Sequence, residues 1–224
     1  VRHQLDRTDP LFEELISRHF ILDSDSNCSI DLLATQYRTR QQMLAHLTGL
    51  FMFVVSLRCD HSCPYCQVSR QSADRHRYDM SREHADAAVE FMFQSPSPQL
   101  KVEFQGGEPL LNFDIIQHIV LKTQERNAVE NRDVQFVIAS NLVFLTDEIL
   151  EFCAEHEISF STSLDGPRDL HNANRPRPGS DSYEKTVEGI ERIRNRLGEH
   201  RVAALMTTTV SSLERPIAIV EESV

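Results

Sequence analysis

No apolar run in these 224 residues approaches the ~20 that a membrane-crossing helix needs; the longest lies at Leu50 to Val55. Positive charge is scarce as well. Lys and Arg number 23 against 34 Asp and Glu, a net charge of −11, which disfavours general attraction to nucleic acid or to an anionic membrane. Neither is therefore expected as a partner, and the excess negative charge reads as a solubility device. Cysteine is sparse and odd in number, five in all, with no signal peptide ahead of it. That argues against disulfides and favours a cytoplasmic setting. There is no initiating methionine, and the chain stops at Glu221-Glu222-Ser223-Val224 within a helical pattern, so it reads as part of a longer protein. What is present, 40% hydrophobic and 25% charged residues, is the composition of a globular chain with one large domain, with or without a small addition.

Three of the five cysteines fall in the run Cys59-Asp60-His61-Ser62-Cys63-Pro64-Tyr65-Cys66, directly after the apolar stretch. Three thiolates on one short loop can hold three irons of a cubane cluster. Iron–sulfur clusters normally take four cysteines, so a missing fourth leaves one iron open to a small molecule. Such an open position marks a metal that does chemistry. A zinc site is the competing reading, and His61, His76 or Cys28 would have to complete it. Cys28 and Cys153 otherwise read as ordinary buried thiols. Glycine is rare, seven in all, yet two are adjacent where Val102-Glu103-Phe104-Gln105 runs into Gly106-Gly107-Glu108-Pro109.

From residue 50 onward, strand and helix patterns alternate, which predicts an α/β fold of parallel β/α units. Strands are expected at Phe51–Leu57, Lys101–Gln105, Val134–Ser140, Ile158–Asp165 and Val202–Val210. Helices are expected at Ser81–Phe93, Asn112–Asn127, Asp147–His156, Tyr183–Leu197 and from Leu213, with Ser81, Asn112 and Ser182 as caps. In the fourth strand Ser159, Ser161, Ser163 and Asp165 alternate with Ile158, Phe160 and Leu164. A serine-rich inner face suits a wide or open barrel whose lumen holds a polar ligand; a solvent-facing edge strand is the plainer reading. The loop Gly166–Ser182, with three prolines, is long enough to be functional, and His171, Arg175 and Arg177 in it are placed at a substrate entrance. Residues 1–49 read as a separate helical segment, with helices over Asp9–Phe20 and Ile30–Leu47, a cap on the barrel that follows. The motifs all sit at carboxyl ends of strands, where β/α barrels gather their active sites.

The Cys-x3-Cys-x2-Cys triplet, with an aromatic before its third cysteine, resembles the signature of the radical S-adenosylmethionine (SAM) enzymes when joined to the Gly-Gly-Glu-Pro strand end. The flanking runs, together with Ser163-Leu-Asp-Gly-Pro167 and His171-Asn-Ala-Asn-Arg-Pro-Arg-Pro178, resemble the peptide-maturing branch. That branch includes the anaerobic sulfatase-maturing enzymes and the His-Xaa-Ser system radical SAM maturases. The resemblance implies a partial (β/α)6 TIM-like barrel over residues 50–224, of which about five β/α units are visible. It implies a [4Fe–4S] cluster on Cys59, Cys63 and Cys66, with SAM chelating the open iron. It further implies an external one-electron reductant of flavodoxin or ferredoxin type, and hydrogen abstraction from a peptide substrate by a 5′-deoxyadenosyl radical. Within it, Tyr65 is placed beneath the adenine. Gly106 and Gly107 let the backbone approach the ligand, with Gln105 and the turn at Glu108 helping to fix the methionine amino group. Glu108 capping the following helix is the alternative for that residue. Asn141, Ser163 and Asp165 are placed at ribose or carboxylate, and Arg175 opposite the methionine carboxylate. Members of the branch usually carry auxiliary clusters in a cysteine-rich extension, and no cysteine follows Cys153 here. Two other functions compete with the peptide maturase: a non-catalytic fragment that binds a peptide or partner, and a radical SAM enzyme with a small-molecule substrate.

Overall fold

A computed structural model describes residues 6–18, 20–21, 28–42, 44, 48–68 and 71–223, the side chains at 28, 29 and 223 excepted. The chain divides into two compact units, Val1–Leu47 and Thr48–Val224. In the first, α1 (Pro10–Ser17) starts where the Asp9 side chain accepts from the Leu11 N–H and Pro10 opens the first turn, a position where proline loses no helical bond. Helix α2 (Cys28–Arg40) begins before the expected Ile30 and stops short of Leu47; residues 45–47 lie outside those described. Among the described residues no helix is long and apolar enough to cross a membrane.

The second unit is built on five parallel strands in the order β1 (Leu50–Ser56), β2 (Gln99–Gly106), β3 (Asp133–Ser140), β4 (Ser159–Ser163) and β5 (Val202–Leu205). Order in space follows order in sequence, as expected for repeated β/α units. The α/β reading is met, with five of the six strands of a partial barrel among the described residues. One face of each of the first four strands packs on the helices: Phe53 and Val55, then Leu100, Val102 and Phe104, then Phe136 and Ile138, then Phe160. Phe104 stands between Phe53 and Phe136, with ring centroids 6.2 and 6.3 Å away. Helices α4 (Arg82–Met92), α5 (Phe113–Glu130) and α8 (Ser182–Leu197) meet that layer with Val89 and Met92, Ile116 and Ile119, and Ile193. Each such side chain contributes about 1.5–3 kcal/mol on burial.

Several boundaries differ from the sequence reading, each for a local reason. Ser81 caps α4 as expected, accepting from His84 N–H. Asn112 does not cap its helix: its amide donates to the carbonyls of Val55 and Met80, tying β1 to the turn after β2. Helix α6 (Asp147–Glu155) is capped by Thr146, whose side chain accepts from Ile149 N–H, and buries Cys153 as the pattern expected. Ser182 is the first residue of α8, not its cap. Its hydroxyl and the Tyr183 N–H both donate to Asn172 Oδ1, so a residue of another element does the capping. Asn172 lies on α7 (Arg168–Asn174), a helix inside the stretch expected to be all loop. Strand β5 ends at Leu205 instead of Val210, because the Thr207 N–H is taken by the Asp165 carboxylate and the chain turns into α9 (Val210–Leu213) and α10 (Pro216–Ser223).

Candidate functional site

Ser56, Arg58 and Asp79 set the entry to the cysteine loop. Arg58 pairs bidentately with Asp79, Nε–Oδ1 2.8 Å and Nη2–Oδ2 2.7 Å, and also donates to the Leu111 carbonyl. The Ser56 hydroxyl donates to the same carboxylate. These bonds fix the backbone immediately before Cys59. The His61 N–H then points at Cys59 Sγ from 3.4 Å, and Asn141 Nδ2 lies 3.9 Å from the same sulfur. Hydrogen bonds of this kind to a cluster's sulfur ligands tune its potential.

The loop is also clamped from the far side of the barrel. Asp60 accepts from Asn141 Nδ2 and Arg177 Nε, each at 2.9 Å, and pairs with His61 Nδ1. Burial alone would raise its pKa; the bonds to His61, Arg177 and Asn141 overcome that and hold it at about 2. The Ser62 N–H donates to the Pro176 carbonyl. Arg177 therefore grips the cysteine loop and does not line an entrance. His171 is likewise removed from solvent. It accepts the Asp165 N–H at Nδ1, and burial lowers its pKa to about 4, so the ring is neutral.

Gly106 and Gly107 answer to strand β1. A Cβ on Gly106 would stand 2.2 Å from the Ser56 carbonyl oxygen, and one on Gly107 2.4 Å from that of Arg58. The same carbonyls accept Gly107 N–H and Glu108 N–H. Glycine is thus required here by the approach of two backbones, a reason the sequence reading did not foresee. Replacing Gly106 with Ala is expected to cost about 1–3 kcal/mol or more, seen as a lower urea midpoint; an unchanged midpoint would contradict this contact.

Glu108 is fully buried and accepts from Leu110 N–H, Ser140 Oγ and Asn141 N–H. Burial pushes its pKa up to about 7 against these three donors. It caps the turn Pro109–Asn112, the alternative noted for it, and faces away from the cavity where a direct contact was expected. Asp165 is the second fully buried carboxylate. It accepts from Tyr65 Oη at 2.7 Å, Arg175 Nε at 2.8 Å, Arg175 Nη2 at 3.1 Å and Thr207 N–H at 2.9 Å. Burial raises its pKa, and the Arg175 guanidinium outweighs that to hold it below the usual carboxylate range. The guanidinium also lies 5.5 Å from the Tyr65 ring centroid, within cation–π reach. Asp165 thus orients two cavity-lining side chains from behind the lining.

These parts enclose a cavity of about 580 Å3. Cys59, Cys63 and Cys66 line one part of it with Tyr65, Asn141 and Gly107; the inner faces of the strands supply Glu103, Gln105, Ala139, Ser161 and Ser163; Arg175 and Thr207 lie on the β4–β5 side. The serine-rich face of β4 accordingly borders a polar lumen. Of the residues assigned from sequence to the cluster or to SAM, Gly106, Glu108 and Asp165 stand behind the lining. The donor set fits a cluster with one open corner. Three thiols share the cavity, and Cys153 is sealed in the helix layer. Of the possible fourth ligands for zinc, His76 is exposed on α3 (Arg75–Tyr78), whereas His61 lines the cavity with its Nε2 buried and unpartnered among the described residues, so a metal analysis decides between iron and zinc. The side chain of Cys28 lies outside those described. Burial pushes the Cys59 thiol up to about 12 and raises that of Cys63. Sequence reasoning missed Arg58, Asp60 and Glu103. A charge inside the cysteine run was the only signal for Asp60, and Arg58 and Glu103 gave none until the strands were paired.

Residues 53–210 match the Radical SAM superfamily. An uncharacterized protein of Methanothermobacter thermautotrophicus is 30% identical over 73% of this chain and 59% of its own length. A cysteine-type anaerobic sulfatase-maturating enzyme of Clostridium perfringens is 22% identical over 73% of this chain and 45% of its own length. Among solved structures, native anSMEcpe with bound AdoMet and Kp18Cys peptide superposes with a TM-score of 0.67 at 21% identity, covering 77% of this chain and 46% of the other. The chain spans about half the length of the curated relatives it matches. The match over most of the described barrel, together with three thiols in one cavity at the strand ends, places this chain in the radical SAM superfamily, whose members use a [4Fe–4S] cluster and SAM.

Proposed function

We propose that Cys59, Cys63 and Cys66 hold a [4Fe–4S] cluster, that the adjoining cavity binds SAM, and that the protein abstracts hydrogen from a side chain of a ribosomally made peptide. The convergence of three thiols on one cavity large enough for a nucleotide carries the reading. When bound, the cluster and SAM supply a 5′-deoxyadenosyl radical by one-electron reductive cleavage of the sulfonium. The chain's own residues do the positioning. Arg177, Pro176 and Asn141 hold the cysteine loop, and Asn141 with the His61 N–H directs hydrogen-bond donors at Cys59 sulfur. Tyr65, Gln105, Gly107, Asn141, Ser163 and Arg175 line the space proposed for SAM; Gly106, Glu108 and Asp165 fix that lining from behind. A peptide substrate is favoured because relatives include enzymes named as sulfatase-maturating and a neighbouring structure is named with a peptide. An external flavodoxin- or ferredoxin-type donor would deliver the electron, in the cytoplasm, where thiols stay reduced.

The test is anaerobic reconstitution with iron and sulfide, followed by an iron count, electron paramagnetic resonance and assay of 5′-deoxyadenosine release with dithionite. A reducible cubane cluster and SAM-dependent release are expected. Tetrahedral zinc at these cysteines, or an intact cluster that releases nothing, would overturn the proposal, the latter in favour of a binding fragment.

A further inference from the structure

Among the described residues, Glu103 is the one carboxylate that lines the cavity. It lies on the inner face of β2, two residues before Gln105, with the buried Phe104 between them pointing to the helices. One carboxylate oxygen accepts Gln105 Nε2 at 2.6 Å. No cation is within ion-pair distance of Glu103 among the described residues, and it is not among those with an undescribed interaction. Arg175, the one guanidinium lining the cavity among the described residues, is already bidentate to Asp165. Glu103 is paired with Met52 on β1 and Val137 on β3; one inner position nearer the carboxyl ends of the strands stand the small residues Ala139 on β3 and Ser161 on β4, which pair with each other. Glu103, Ala139 and Ser161 line the same cavity as the three thiols.

From this arrangement we infer that Glu103 selects the substrate side chain and that it selects a cationic nitrogen: a lysine, an arginine or a protonated histidine. The inference rests on the proposed reading of the cavity as the chamber in which a peptide side chain meets the cofactors. A peptide that enters will strip water from Glu103. A carboxylate desolvated without a partner is costly, whereas one met by a cation is compensated. An acidic side chain would meet like charge, and an apolar one would leave the carboxylate uncompensated; both are rejected. Gln105 turns its amide nitrogen to Glu103, fixing that carboxylate and leaving its other oxygen for the incoming group. Glu103 is thus a specificity residue, distinct from the groups that hold cluster and SAM.

The experiment is selection from a randomised peptide library, by messenger-RNA display, on immobilised protein reconstituted with cluster and loaded with SAM. With the wild-type protein, peptides enriched roughly tenfold in Lys, Arg or His at one position are expected, a factor typical of a single charge pair. Glu103→Gln is expected to abolish that enrichment, Glu103→Lys to turn it toward Asp and Glu, and Glu103→Asp to retain it. A wild-type pool without basic enrichment overturns the inference, as does enrichment that survives in Glu103→Gln. Should Glu103→Gln fold poorly, the contrast between the Asp and Lys variants decides. Peptide-free 5′-deoxyadenosine release by the wild-type protein, measured on the same preparation, separates the two levels. If release is present and basic selection absent, only the role of Glu103 falls; if release is absent, the proposed function falls with it.

Discussion

Cys63→Ala protein, reconstituted under the same anaerobic conditions, is expected to fall from about four irons per chain to near none, with loss of the visible cluster absorption and of 5′-deoxyadenosine release to background. Cys63 is the middle donor of the three. The turn that brings Cys66 N–H onto the Cys63 carbonyl places the second and third sulfurs together, and all three thiols line one cavity. With Cys63 gone, two thiols remain, and the other described cysteine, Cys153, is buried under the sheet in α6. The fold should survive, because Cys63 is on a loop and makes no rung of the sheet. Far-ultraviolet circular dichroism would therefore match the wild type, and Cys153→Ala would keep the cluster. Release that persists in Cys63→Ala would show that the cluster is held elsewhere.

The second large effect is on stability. Asp165→Ala should lower the free energy of unfolding by about 3–5 kcal/mol, the usual consequence of removing one partner of a buried ion pair. Four donors converge on this carboxylate, from Tyr65, Arg175 (twice) and Thr207. Its side chain is 0% exposed and that of Arg175 only 13%. Without Asp165 the guanidinium stays buried and uncompensated, and the Tyr65 hydroxyl and Thr207 N–H lose their acceptor. Asp165→Asn keeps the shape but not the charge, and should fall between. The sign with pH follows from the depressed pKa: stability from the pair is present above the ordinary aspartate value of about 4 and is lost as pH falls through the lower folded-state value. Urea titrations of wild type, Asp165→Ala, Arg175→Ala and the double variant would measure it. A coupling below about 0.5 kcal/mol, the level of independent sites, would rule out this account of how β4 is joined to the cysteine loop.

Much of the site was legible in the chain because its signals are local. Cysteine spacing within one loop, adjacent glycines after a strand, and alternation of serine with apolar residues along β4 all depend on a few consecutive residues whose geometry the backbone periodicity already sets. The parallel order of strands was legible for a similar reason, since strand and helix periods alternate without interruption. What escaped was the destination of individual polar groups. Asn112 could serve as a cap or as a donor to β1, and nothing in the sequence distinguishes them. Arg175 and Arg177 are separated by one proline, yet one faces Asp165 and the other Asp60. Local propensity also gave no warning of α7, because its principal service, accepting bonds at the start of α8 through Asn172, is made by tertiary contact.

The sequence by itself determined the ligand atoms and the order of the layers: three thiols in one short loop, and apolar faces that could only stack as parallel β/α units. Tertiary structure alone decided which charges meet. Arg177 finds Asp60 across 117 residues of chain, Tyr65 finds Asp165 across 100, and Glu103 pairs with no cation among the described residues. Those outcomes depend on strand register and on the space remaining between packed elements, and both are set only when the whole sheet closes around its cavity.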